Sequence, residues 1–206
     1  MNKLFSCFLV NTLVAVASCV SASFTNEVPP QIFSINNATV GVTTLDEVRK
    51  IYGMVEPSRV SREDEADITV CYVHFSSRGE SFLVFESGVM GSFKRITGFR
   101  ISTLRPTGNC VSTNIDVGDL VTGNGVRLGQ SLEDFEKAVP VKFKRRGLEL
   151  IYEAVSQRAA TQEELKRLRA NWPNEKQDYF DVTTIIKAKF QDNRLIDFYV
   201  HKIESY

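Results

Sequence analysis

The chain has little of what marks a catalytic or metal centre in a sequence. Among its 206 residues there are two histidines, His74 and His201. Neither has a cysteine or carboxylate spaced to build a local metal motif, so both read as structural or exposed. No G-x-S-x-G elbow and no H-E-x-x-H occur. The glycine-rich stretch GNGVRLG (123–129) runs G-x-G-x-x-x-G with no βαβ unit after it, which reads as a flexible join rather than a phosphate loop. Charge of one sign is lacking as well. The 25 basic residues balance 25 acidic ones, so no overall field favours nucleic acid or an anionic membrane. KFKRR (142–146) and arginines 95, 100 and 105 are offset by EDEAD (63–67) and read as solvated faces. No catalytic, cofactor-binding or metal-ligating residue is assigned on these grounds.

What is present begins at the N-terminus. MNKLFSCFLVNTLVAVASCVSA (1–22) has the layout of a secretory signal. Lys3 supplies the positive region, Leu4 to Ala17 the apolar region, and Val20-Ser21-Ala22 a small-residue cleavage site. Asn11 and Thr12 interrupt the apolar run, which is short for a membrane span. The expectation is a cleaved leader and an exported chain, bacterial periplasm first. Val16-Ala17-Ser18-Cys19 also matches a loose lipobox, so lipidation at Cys19 is the alternative to cleavage after Ala22. Cys7 and Cys19 fall in the leader and leave Cys71 and Cys110. In an oxidising compartment that pair reads as one disulfide, with two buried thiols as the alternative. A hydrophobic share of 43% and a charged share of 24% are ordinary for a folded globular protein.

One pattern occurs twice. In VTTLDEVRKIYG (42–53), Thr44 and Glu47 form a T-x-x-E capping box, and Leu45, Val48, Ile51 and Tyr52 make an apolar stripe that Gly53 ends. In GQSLEDFEKAVP (129–140), Ser131 is the cap, Leu132, Phe135, Ala138 and Val139 the stripe, and Pro140 the stop. Strand-like runs follow each copy: ITVCYVHF (68–75), SFLVFES (81–87) and RITGFRIS (95–102), then LELIYEAV (148–155), DVTTIIKAKF (181–190) and LIDFYVHK (195–202). QDNR (191–194) is a tight polar turn suited to a hairpin. The pattern predicts an α+β protein of two tandem modules, each a helix packed on a small antiparallel sheet, spanning 36–107 and 126–206 with a glycine-containing join at 108–125.

The second copy carries a helical insertion, 156–180. ATQEELKRLRANW (160–172) has Thr161 and Glu164 as a capping box and Leu165, Leu168 and Trp172 on one face. Trp172, Tyr179 and Phe180 are the candidate partner-binding residues, because Trp and Tyr often anchor interfaces. The alternative is that Trp172 covers the sheet.

The paired helix starts, and strands closing as in FQDNRLIDFYV (190–200), resemble the superfamily joining the secreted β-lactamase inhibitor proteins to the small outer-membrane assembly lipoproteins of the SmpA/OmlA type. The resemblance covers most of residues 36–205. For the inhibitor branch it implies tandem modules that grip a protein partner through a concave sheet, without catalysis. For the lipoprotein branch it implies a single module anchored to the outer membrane. The chain departs from both: Cys71 and Cys110 precede the second helix, whereas the inhibitors carry a disulfide in each module. The expectation is a non-enzymatic protein-binding module, an inhibitor, immunity-like protein or envelope assembly factor. An outer-membrane structural lipoprotein held by Cys19 is the alternative, and a hydrolase with a dispersed active site is a third class.

Overall fold

The computed structural model describes residues 27–62, 65–76, 79–88, 94–113, 120–174 and 176–205. The expected leader at 1–22, with Cys19, lies outside them. A 3-10 turn, Pro30–Phe33, leads to a small ribbon of β1 (Ser34–Ile35) and β2 (Ala38–Thr39). The elements that follow are α1 (Leu45–Tyr52), β3 (Ser58–Arg62), β4 (Glu65–Ser76), β5 (Gly79–Ser87), β6 (Gly98–Ser102) and β7 (Val111–Ser112). Then come α2 (Leu132–Ala138), β8 (Lys144–Arg146), β9 (Glu149–Ala159), α3 (Gln162–Asn171), β10 (Tyr179–Gln191) and β11 (Arg194–Ser205).

Local signals set the helices. Thr44 accepts from the Glu47 amide at 3.2 Å while Glu47 accepts from the Thr44 amide at 2.8 Å. The Thr44 amide and then its hydroxyl, both donating to the Glu47 carboxylate, hold that carboxyl below its ordinary pKa. Thr161 and Glu164 close the same box at the start of α3. Ser131 caps α2 through the Asp134 amide at 3.1 Å. The predicted turn after β10 places Asp192 and Asn193 at φ 49° and 59°, the paired positive values of a two-residue hairpin loop whose twist matches its strands.

The two-module expectation is overturned. There is one nine-stranded sheet, in the order β3-β4-β5-β6-β11-β10-β9-β8, with β7 added beside β4. Every neighbouring pair along that path is antiparallel, and β7 runs parallel to β4. The helices are short, and they serve this single sheet rather than two separate ones. The physical cause is the seam between β6 and β11, where Phe99 pairs with Val200 and Ile101 with Phe198. These are the closing strands of the two sequence copies, and their backbone groups satisfy each other. A hydrophobic pattern identifies each strand but not its neighbour across about a hundred residues.

Burial follows the pleat. In β10, Val182, Thr184, Ile186, Ala188 and Phe190 are buried on one face, and Thr183, Ile185, Lys187 and Lys189 alternate on the other. On the buried face a single apolar cluster unites both copies, from Val48 and Tyr52 through Phe85, Phe99 and Phe198 to Phe135, Phe190 and Leu150. Ring contacts run through it almost without a break. Tyr52 lies 5.3 Å from Phe85, Phe85 and Phe198 each lie 6.3 Å from Phe99, and Phe198 lies 6.1 Å from Phe135. Tyr52 and Tyr72 keep their hydroxyls hydrogen-bonded to the Ile35 and Gly53 carbonyls. Burial pushes both phenols up to about 12.

Candidate functional site

With one face committed to the core, the opposite face of the sheet is where chemistry or recognition can occur. Its flanks differ. On the β4–β6 side, Cys71 and Cys110 form a disulfide with Cα atoms 4.5 Å apart. That bond, together with β7 pairing at Tyr72 and Val73, folds residues 103–110 back over the outer face. Phe82 is thereby almost fully buried although it points away from the core, and the Arg105 guanidinium stands 5.8 Å from its ring centre. On the β9–β11 side no such cover lies among the described residues. Val155 is 67% exposed there, and Ile151, Ile185, Tyr199 and Ile203 are half-buried in register beside it. Lys187, Lys189, Glu153 and Asp181 share that face by the same register.

Between the flanks runs a polar seam. Arg100 of β6 grips Asp197 of β11 with two hydrogen bonds, 2.6 and 2.8 Å. Asp197 is 3% exposed, and the carboxylate raises the already high pKa of Arg100. One pleat along, Glu86 of β5 and His201 and Tyr199 of β11 converge. The Glu86 Oε1 lies 2.5 Å from both the Tyr199 hydroxyl and His201 Nδ1, and those two are 2.8 Å apart. Gly98 makes this possible: a Cβ there would sit 2.7 Å from Glu86 Oε1 and 2.7 Å from the Val200 carbonyl. Hydroxyl, imidazole and carboxylate in contact are the raw material of proton transfer. Here they satisfy one another, Glu86 and His201 are more than nine-tenths buried, and His201 Nε2 is enclosed without a hydrogen-bond partner among the described residues. The described cavities are lined by other residues.

One of those cavities, about 320 Å³, lies at the far end of β9–β11 on the core side. Arg158 dominates it. Its guanidinium stacks 4.7 Å from the Phe180 ring centre, bonds both oxygens of Glu164 at 3.0 and 2.9 Å, and bonds Glu204 at 2.5 Å. Glu164 is held down to about 2, first by Arg158 and then by the Thr161 amide. Burial pulls the Glu204 carboxyl up, but Arg158 and Lys202 outweigh it and leave it low. This cluster staples α3 to the sheet, with Leu165 and Leu168 buried beneath the helix.

The residues predicted to anchor a partner are dispersed. Tyr179 and Phe180 are adjacent in β10 and point to opposite faces. Phe180 is occupied by Arg158, and Tyr179 shares the outer face with Asp181 and Ile185. Trp172 caps the end of α3 at 59% exposure, so it does not cover the sheet. The predicted insertion also shrinks: residues 156–159 and 179–180 belong to β9 and β10, and α3 forms the connection of that hairpin. Sequence reasoning missed the Glu86–Tyr199–His201 cluster. Tyr199 and His201 are two apart in a strand and so share a face, which was a visible signal, but Glu86 lies 115 residues from His201.

Among the described residues, no three His, Cys, Asp or Glu side chains come together as metal ligands. No helix among them is long and apolar enough to cross a membrane. Comparison with family models, with curated proteins and with solved structures finds no match to the chain. The resemblance drawn from the sequence therefore rests on its short motifs.

Proposed function

We propose that this is an exported, non-enzymatic protein-binding module, and that its partner docks on the uncovered outer face of β9–β11. The observation that carries the reading is the difference in cover. The disulfide-pinned loop closes the outer face at β4–β6, while the β9–β11 face presents Ile151, Ile185, Ile203 and Tyr199 interspersed with charges of both signs. An apolar centre with a Tyr and a charged surround has the composition of an interface. Tyr179 lies at its margin as a secondary anchor, Trp172 stands exposed at the end of α3, and Phe180 drops out because Arg158 holds it.

The test is capture from cell-envelope extract with the wild-type chain and with Ile185→Glu. A protein retained by the wild type and lost with the variant, at unchanged thermal stability, supports the reading. Equal retention by both, or none by either, overturns it. The lipobox favours a second reading, an envelope lipoprotein held by Cys19. That reading requires membrane fractionation to depend on Cys19, and a Cys19→Ala chain that still partitions with membranes would exclude it.

A further inference from the structure

At the end of the strands opposite the Arg158 cluster, on the core side of the sheet, lies a hollow of about 180 Å³. It sits between the end of β4, the starts of β5 and β11, the residue after β6 and the loop at 120–129. Its inner wall is apolar. Leu120 and Leu195 are buried members of the core cluster, and half-buried Leu128 and Ile196 extend that wall outward. The glycine-rich stretch at 123–129 brings polar groups to the mouth, and hydrogen bonds hold it there. The Thr122 amide donates to the Val126 carbonyl at 2.9 Å, the Gly129 amide to the Leu195 carbonyl at 2.8 Å, and the Leu195 amide to the Gln130 carbonyl at 2.9 Å. Gly129 takes φ 81°, a left-handed turn that glycine adopts without a Cβ penalty.

Two guanidiniums stand at the mouth. Arg127 and Arg194 are exposed and line both this hollow and an adjoining one of about 510 Å³. Arg194 is fixed there by a hydrogen bond from Nη1 to the Gly129 carbonyl, 3.0 Å. Among the described residues neither arginine forms an ion pair. Arg100 and Arg158, by contrast, are each gripped by a carboxylate of the chain. Gln130 adds a further donor. It is 8% exposed, its Oε1 accepts from the Arg127 amide at 3.0 Å, and its Nε2 has no hydrogen-bond partner among the described residues. This corner of the molecule therefore holds more donors than acceptors.

We infer that the hollow binds a small amphipathic carboxylate, its apolar body against Leu120, Leu128, Leu195 and Ile196 and its head group between Arg127 and Arg194. Charge selects the head group. Among Arg, Lys, Asp and Glu side chains, each hollow is lined by those two guanidiniums and one carboxylate, Glu80 in the smaller and Asp134 in the larger. The positive excess of one matches a monoanion rather than a phosphate dianion, and planar guanidinium forks suit a carboxylate. Volume selects the body. An apolar cavity of roughly 150 Å³ takes a benzene-sized guest, so this one suits a chain or ring of about six carbons. A free acid and the last residue of a peptide ending in leucine share that chemistry. The site is separate from the outer face of β9–β11, so it does not depend on a partner docked there.

Titration of the isotope-labelled chain with hexanoate should shift the amide resonances of 120–129 and 194–196 along saturable curves, with a Kd on the order of a millimolar or tighter. Acetate should bind about tenfold more weakly or worse, because it leaves the apolar wall uncovered. Hexylamine and inorganic phosphate should leave those resonances in place. Arg127→Gln should weaken hexanoate by about tenfold at unchanged melting temperature, and Arg194→Gln by at least as much. A pentapeptide ending in leucine separates the two sources. Binding by the peptide but not by its C-terminal amide assigns the site to chain ends, and failure of a peptide where hexanoate binds assigns it to free acids. The absence of a saturable shift with both hexanoate and the peptide overturns the inference. So does hexanoate binding that ignores Arg127→Gln, or that acetate, hexylamine or phosphate equals.

Discussion

The two flanks of the sheet solve the same problem differently. At the β4 flank, β3 pairs with residues 65–69 and β7 with Tyr72 and Val73, and the Cys71–Cys110 bond ties the covering segment down. At the β9 flank a short β8 stops at Ile151, and no disulfide-tied segment covers the outer face beside it among the described residues. Core burial is common to both, because one aromatic-rich cluster runs beneath the whole sheet. The difference therefore concerns what is shown to solvent. Covalent cover at one side gives a closed flank, and at the other the described residues leave Val155 exposed and its apolar neighbours half-buried.

The comparison is broken most severely by removing the cover. Replacing both Cys71 and Cys110 by Ala releases a loop of 39 residues, which costs about 4 kcal/mol in the chain-entropy model. Hydrogen exchange should rise first in β7 and the 103–110 segment. Equal loosening of β9 would mean that the flanks are not separately secured. The centre comes next. Gly98→Ala places a methyl against the Val200 carbonyl and the Glu86 carboxylate, and should cost about 2 kcal/mol. Because one core spans both copies, the lost stability should appear as a lower midpoint of a single thermal transition, and two separated transitions would contradict the joined sheet.

Acid should act on the open flank, with a smaller effect. Glu164 and Glu204 have folded pKa values below the ordinary carboxylate range. Their contribution is present above the unfolded value, roughly 4.3, and is lost as pH falls through the folded values toward about 2. Both side chains are about a third exposed, so screening keeps the effect to roughly 1 kcal/mol or less. Amides of α3 should lose protection between pH 4 and 2, in a window set by that depressed Glu164 value, before those of α1. The smallest effect belongs to Trp172→Ala. At 59% exposure, its removal should change stability by no more than about 0.5 kcal/mol, measured by denaturant titration. A loss of several times that would place the indole in a packed site.

The legible parts of this fold were the local ones. Thr44, Ser131 and Thr161 announce three helices because a cap and its partner lie three residues apart. Asp192 and Asn193 announce a hairpin because a tight turn needs residues that tolerate positive φ. The Cys71–Cys110 disulfide was one of two readings of the cysteine count, on the expectation of a leader at 1–22. What stayed hidden was pairing at a distance. Nothing near Phe99 indicates that Val200 will lie beside it, and so two helix–sheet units were expected where one sheet exists. The same limit hid the polar seam, since Arg100 and Asp197, like Glu86 and His201, meet only after β6 and β11 join. The predicted anchors were scattered for a simpler reason. Adjacent residues in a strand point to opposite faces, which separates Tyr179 from Phe180.

β11 follows the other strands of the described residues in sequence and yet lies in the interior of the sheet, between β6 and β10. As the polypeptide is made, β3 to β6 can assemble early, but β6 keeps an open edge until Arg194–Ser205 has emerged. Contacts of such sequence separation form slowly, and the waiting edge is prone to wrong pairings. Completion of the sheet thus waits on β11, and β6 lacks its neighbour until that strand has been made.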